Sequence, residues 1–309
     1  MPKIDISVVI PVKNGQRYLD SVLKAVFSQK IHTEFEVIIV DSGSKDRTIE
    51  IASYYPVSIY QTEEASFNHG LTRNYGISKA QGEYVILLTA DAIPCNNSWM
   101  EKLIENLKCD DQVAGVYSRQ IPHKDAQLLT QMRVNRYFTA SRERRESKNF
   151  NCDDYAKLSP RHKHRFCNFD NVSSCIRKSV WKKTPFSKTD FAEDLEWSKH
   201  VLEAGYKIVY EPESIVYHSH DFSILGLYKK TLINCSKLYS LFGLIDVDNI
   251  YNLFRNFIIY TLRDVYCLCR EEKSAKIILA NIYLIPLYSF SIVLGQYRGA
   301  RIRDYSTSP

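Results

Sequence analysis

Four sets of residues in this chain stand where ligand chemistry is easiest to arrange. Asp41 closes an apolar run, residues 37–40, and Asp91 follows "VILLTA". A carboxylate at the end of a buried strand, beside Gly or Ser, is suited to hold something above a sheet. Glu193 and Asp194 open a helical stretch in "FAEDLEW", and His218 and His220 form a His-x-His pair in "VYHSH". Residues two apart on a strand share a face, so both imidazoles turn the same way. Asp91 with one of these histidines makes a hard or borderline donor set for Mg2+ or Mn2+. Plainer readings stand beside these. Asp41 can cap the next helix, though Asp46 lies closer to Thr48. Adjacent acids at a helix start complement its dipole, and a lone pair of histidines is commonly structural. The fourth set is "FNHGLTRNYG", residues 67–76, which packs His, Arg, Asn and two Gly into what reads as a helix start.

The elements that must position these residues are legible. "ISVVIPV" is a continuous β-branched run, as in a strand buried on both faces, and a Lys-Asn-Gly turn and a helix follow it. "FEVIIVDSGSKDRT" repeats the plan, with a helix from about Thr48. "VSIYQTE" reads as a third strand, "LTRNYGISKAQG" as a helix ending at Gly82, and "EYVILLTADAIP" as a fourth strand. Alternation at this spacing implies a mostly parallel, doubly wound α/β sheet, whose ligands bind beyond the carboxyl ends of the strands. Those ends carry residues 11–15, 41–46, Glu63–Glu64 and 89–94. Later, "VAGVYSRQIP" ends a strand in Arg119 and Gln120, "NVSSCIRKSVWKKTPF" reads as strand and turn, and helices rich in Leu, Ile and Tyr begin near Ile224.

Length and composition exclude some classes. At 309 residues, 45% hydrophobic and 25% charged, the chain can bury a full core. Residues 133–165 hold ten Lys/Arg against four Asp/Glu, within a net charge of +6. That is either a solvated surface segment or a positive patch for phosphate groups or an anionic membrane. No nucleic-acid motif accompanies the charge, so no nucleic-acid partner is expected. The eight Cys include no CxxC pair, and Cys152, His162, His164, Cys167 and Cys175 match no zinc spacing, so reduced thiols are expected. The start resembles no secretory signal, which places the catalytic part in the cytosol. The uncharged stretch 277–297 is long enough to cross a bilayer, but its Asn, Pro, Tyr and Ser leave interfacial, buried and spanning helices all open. HExxH, P-loop, GxSxG and GxGxxG patterns do not occur in the sequence.

In their order, "SVVIPVKNG", "VIIVDSGSKDRT" and "ILLTADAIP" resemble the strand-end motifs of inverting glycosyltransferases of family 2 with the GT-A fold, over roughly residues 5–222. Residues 69–74 ("HGLTRN"), 118–122 ("SRQIP"), 191–197 and 216–220 are similar to segments of the bacterial rhamnosyltransferase group. The resemblance implies a nucleotide-sugar-binding half at 1–120 and an acceptor-binding and catalytic half at 121–223; beyond it, charge and amphipathicity suggest a C-terminal helical, membrane-associating segment at 224–309. It implies that Pro11, Val12, Asn14 and Ser42 line the nucleotide pocket and that Asp41 bonds the base. His69, Arg73, Asn74, Thr89 and Ala90 would complete the nucleotide-sugar site, with backbone at His69 and Gly70 approaching the ligand closely. Asp91 would bind the divalent ion, with His218 favoured over His220; the family's usual acid two positions earlier is here Thr89. Asp194 would be the general base, with Glu193 second, and Arg119, Gln120 and Trp197 would face the acceptor.

The activity implied is metal-dependent transfer, with inversion, of L-rhamnose from dTDP-rhamnose in surface polysaccharide or O-antigen assembly; the basic segment 133–165 and the Tyr-rich C-terminal helices suit a lipid-linked saccharide acceptor on the inner face of the membrane. A UDP- or GDP-sugar donor, or a catalytically silent scaffold, are the other readings.

Overall fold

The computed structural model describes residues 4–62, 68–148, 152–189 and 191–302. They form two compact units: residues 1–121, 137–156 and 167–218, and residues 122–136, 157–166 and 219–309. Glu63 and Glu64 lie outside the described residues, as does the side chain of Cys152. The other seven cysteines are free.

The first unit is built on strands β1 (Ile6–Val12), β2 (Phe35–Asp41), β3 (Ser58–Gln61), β4 (Tyr84–Leu88), β5 (Ile93–Pro94), β6 (Val113–Ile121), β7 (Arg145–Ser147), β8 (Ser173–Arg177) and β9 (Lys207–Tyr217). They pair in the order β3-β2-β1-β4-β8-β6-β9-β5, with β7 also on β9. The β-branched runs behave as expected: residues 6–10 of β1 and 37–41 of β2 are buried, because helices cover both faces of a parallel sheet. On one face Leu19, Val22 and Leu23 pack with Trp99, Leu103 and Leu107 against Val8, Ile10 and Ile86. On the other, the helix His69–Lys79 lies so close to the sheet that a methyl group at Gly76 would overlap Val9.

Parallel pairing holds through β3, β2, β1 and β4 and recurs between β6 and β9. β5 and β7 run antiparallel to β9, and β8 enters the sheet reversed between β4 and β6: Ser173, its first residue, pairs with Leu88, the last of β4. That reversal matters for chemistry. It brings the turn before β8 to the same edge as the carboxyl ends of β1, β2, β4, β6 and β9.

Residues 178–183 form a helix where the sequence suggested a turn, and the helix from His69 stops at Ala80, before Gly82. The backbone of Asp5 and Ile6 lies against Gly82 and leaves no room for a side chain.

The second unit holds the helices Ile224–Phe242, Ile250–Glu271, Ala275–Ile282 and Leu284–Gly299 with two shorter ones, Leu128–Val134 and Pro160–Phe166. Ser223, Asn249 and Ser274 cap the first three through their side-chain oxygens. Gly295 and Gly299 let the last helix press onto Thr231 and Cys235. No single described helix is long and apolar enough to cross a membrane; Ala275–Ile282 and Leu284–Gly299 pass that test only as a pair, bent by 40°. Ile285, Ser289, Ser291 and Val293 are buried in this unit, so part of 277–297 is core.

Candidate active site

The register that pairs Val12 with Asp41 sets the first two strand ends side by side. Asn14 turns the chain in the left-handed region (φ +53°), which Asn tolerates better than most residues. Its N–H donates to Ser44 Oγ (2.8 Å), and its Oδ1 accepts from the Lys45 N–H (2.9 Å). Gly15 N–H reaches Thr48 Oγ1 (2.8 Å), Gln16 N–H reaches Asp46 (3.2 Å), and Ser42 N–H reaches the Val12 carbonyl (3.0 Å). Asp46 also accepts from the Thr48 N–H (3.0 Å), so it takes the capping job that Asp41 was considered for. Asp41 is buried and accepts from the Ser44 N–H at 3.2 Å. Ser42 and Val12 are buried beside it, and Pro11 is half-buried.

Of the odd stretch 67–76, residues 68–76 open a capped helix, and Phe67 lies outside the described residues. Asn68 accepts from the Leu71 N–H (3.1 Å), and half-buried His69 begins the helix. Gly70 serves packing rather than close approach to a ligand: a methyl group there would overlap the Ser187 carbonyl oxygen. Asn74 is likewise committed to the fold. Its Oδ1 accepts from Trp181 Nε1 (2.7 Å) and the Phe186 N–H (3.1 Å), and its Nδ2 donates to the Phe186 carbonyl (2.8 Å). These bonds use the amide that was expected to meet nucleotide. Arg73 points at an acid: Nη1 lies 2.8 Å from Glu193 Oε1, with both side chains almost wholly buried. Its Nε finds no partner among the described residues.

Glu193 and Asp194 start the helix Glu193–Glu203, entered through Ala192 at φ +62°. A left-handed alanine is uncommon and strained, and such strain clusters at functional sites. The Asn171 N–H donates to Asp194 Oδ2 (3.2 Å), and the Leu195 N–H donates to Oδ1 (2.8 Å). Burial, then the charge of Glu193, then that of Asp170, raise the Asp194 pKa well above the usual carboxylate range; the two N–H groups oppose the shift. Asn171 also donates to Glu193 (3.4 Å) and accepts from Ser174 Oγ (2.8 Å).

Beyond β4, the Thr89 N–H donates to the Val172 carbonyl (3.0 Å), tying the Thr89-Ala90-Asp91 turn to the turn before β8. Thr89 Oγ1 is buried with no partner among the described residues, and Ala90 and Asp91 are half-buried. His218 Nε2 stands 3.8 Å from Asp91 Oδ2. Its Nδ1 lies 2.9 Å from Gln120 Oε1, and this partner fixes the tautomer: Nδ1–H donates, and the Nε2 lone pair faces the carboxylate. Two lone-pair donors facing each other at this distance fit a divalent cation. Exposed His220 belongs to the second unit, where its ring tilts against Phe222.

The three residues assigned to an acceptor sit elsewhere in the logic of the site. Trp197 is fully buried between Phe169 and Phe186 and donates Nε1–H to the Thr184 carbonyl (2.9 Å), so it is core. Gln120 is buried and orients His218. Arg119 Nε donates to the Ala140 carbonyl (3.2 Å).

A family model described as Glycosyl transferase family 2 matches residues 7–164, which contain Asp41, Arg73 and Asp91. The chain belongs to this family. This glycosyltransferase is 32% identical over 222 residues to the O-antigen chain rhamnosyltransferase RfbN of Salmonella typhimurium, covering 71% of its own length and 67% of the relative's. It is 30% identical over 205 residues to the O-antigen chain rhamnosyltransferase WbaN of Salmonella anatum, covering 64% and 60%. Among solved structures, a mannosyltransferase from Pyrobaculum calidifontis in complex with GDP-Man and Mn2+ superposes with TM-score 0.61 at 16% identity, covering 99% of this chain and 88% of that one. That likeness shows the GT-A fold.

Asp170 and Asn171 were not singled out in the sequence, yet they stand beside Glu193 and Asp194 in the transferase. Their signal was "FDN" just before a buried strand, readable only once that strand is known to run antiparallel to β4.

Proposed function

We propose that this glycosyltransferase moves L-rhamnose from dTDP-rhamnose, with inversion, onto a lipid-linked saccharide in surface polysaccharide or O-antigen assembly. The observation that carries the donor and the pathway is the similarity to two O-antigen chain rhamnosyltransferases over most of the chain. Asp41 receives the base, and Pro11, Val12, Asn14 and Ser42 line the nucleoside. Thr89 and Ala90 run beneath the diphosphate. Asp91 and His218 are the donors for Mg2+ or Mn2+. When bound, that cation neutralises charge growing on the leaving nucleoside diphosphate.

Asp194 takes the proton of the acceptor hydroxyl while its oxygen attacks the anomeric carbon. The bond to the nucleoside diphosphate breaks in the same displacement, which inverts the centre. A carboxylate with a raised pKa is a better proton acceptor near neutral pH than an ordinary one. Glu193 is held by Arg73 at 2.8 Å and stabilises the site rather than serving as base. The basic segment 133–165 supports a diphosphate-linked acceptor at the inner face of the membrane, and a peripheral cytoplasmic location follows from that acceptor. The test is nucleoside diphosphate release from a panel of dTDP-, UDP- and GDP-sugars, with and without Mg2+ or Mn2+. Release from dTDP-rhamnose with metal is expected. Turnover confined to UDP- or GDP-sugars would contradict the donor, and no release with any donor would favour a scaffold.

A further inference from the structure

The helix Ile250–Glu271 of the second unit has one side the unit's own core does not cover. Its inner side is well used: Leu253 and Leu268 are buried, and Phe257 meets Phe290 edge-on at 5.9 Å. Its outer side repeats at helical spacing. Phe254, Ile258 and Leu262 form an apolar stripe, each more than half exposed, with Tyr251 and Tyr266 at its two ends. Arg255, Arg263 and Arg270 are exposed alongside them. The helix has two acids. Asp264 is turned from the stripe and held by Arg136 (2.7 Å) and Arg263 (2.9 Å), and Glu271 is the last residue.

We propose that this face docks on the surface of an anionic lipid bilayer, the helix lying in the interface. An apolar stripe with cations and no carboxylate among them is complementary to acyl chains beneath phosphate headgroups. Tyrosines at both ends suit the headgroup level. A second copy of the chain is a poorer occupant, because it would bring the arginines of two like faces together, with Asp264 already held by Arg136 and Arg263 and Glu271 confined to the helix end. The proposal deepens the reading of a lipid-linked acceptor but rests on separate residues. It also moves the membrane contact from 277–297, part of which is core, to 250–271.

The test is flotation of the full chain with vesicles of phosphatidylcholine alone and of phosphatidylcholine mixed with phosphatidylglycerol. Binding to the mixed vesicles that weakens with salt is expected. The triple variant Phe254→Ser, Ile258→Ser, Leu262→Ser should lose at least about tenfold in partitioning. Arg255→Gln with Arg270→Gln should lose roughly fivefold per arginine, on anionic vesicles only. A triple variant that binds like the parent, with unchanged circular dichroism and melting temperature, overturns the proposal. So does a parent chain that ignores both vesicles, or one whose exposed stripe is consumed in a dimer that the triple variant dissolves. Nucleoside diphosphate release with a water-soluble acceptor should be equal in all variants. Its loss in the parent would break the transfer reading without touching this one.

Discussion

The two halves of the catalytic edge are held together by opposite means. At the ends of β1 and β2, backbone N–H groups and short polar side chains bridge Asn14–Gln16 to Ser44–Thr48. Beyond β4 and before β8, the same edge gathers Asp170, Glu193 and Asp194 against one buried cation, Arg73, and sets Asp91 opposite His218. The first region has nearly every polar group satisfied and is shaped before a ligand arrives. In the second, burial and then the charges of Glu193 and Asp170 raise the Asp194 pKa, and Asp91 and His218 face each other at 3.8 Å. On the proposed function, preorganised binding and poised chemistry sit side by side on one sheet edge.

Substitutions should separate the halves by size of effect. Asp91→Ala removes a proposed metal donor and should lower transfer about a thousandfold, read as nucleoside diphosphate release across a Mn2+ titration. Arg73→Met leaves Glu193 buried without its cation and should destabilise the fold by about 3–5 kcal/mol in denaturant melts. Adding Glu193→Gln should recover part of that loss; no recovery would mean Arg73 acts through packing alone. Gln120→Leu should weaken metal affinity roughly 10- to 100-fold without unfolding the protein, since it removes the partner that fixes the His218 tautomer. The smallest effect belongs to the first half: Asn14→Ala should cost about 1 kcal/mol of stability and raise KM more than it lowers kcat. An Asn14 effect as large as that of Asp91 would dissolve the distinction between the halves.

The first half was legible because it is local. A β-branched run, a turn and a helix follow one another in sequence, so Asn14 and Asp41 could be placed at strand ends by pattern. The second half depends on β8 entering the sheet reversed and on contacts between residues 73 and 193, which no periodicity reports. That is why Asp170 and Asn171 were passed over, and why Trp197 and Asn74 looked like ligand contacts when their polar atoms serve the Thr184 and Phe186 backbone. Gly70 misled for a related reason: a close approach was rightly inferred, but the partner is the Ser187 carbonyl.

The pH dependence of transfer tests Asp194 most directly. Because its folded-state pKa is raised, the folded protein holds this proton more tightly than the unfolded chain. Its contribution to stability is therefore greatest at low pH and falls as pH rises from the ordinary carboxyl range to the raised pKa. As a base it works only when ionised, so kcat/KM should climb with pH through that same raised value. Asp194→Asn should bind donor normally, lose about 10^2- to 10^4-fold in transfer, and lose this acidic limb. A variant within tenfold of the parent, or one that keeps the same acidic limb, would contradict Asp194 as the base.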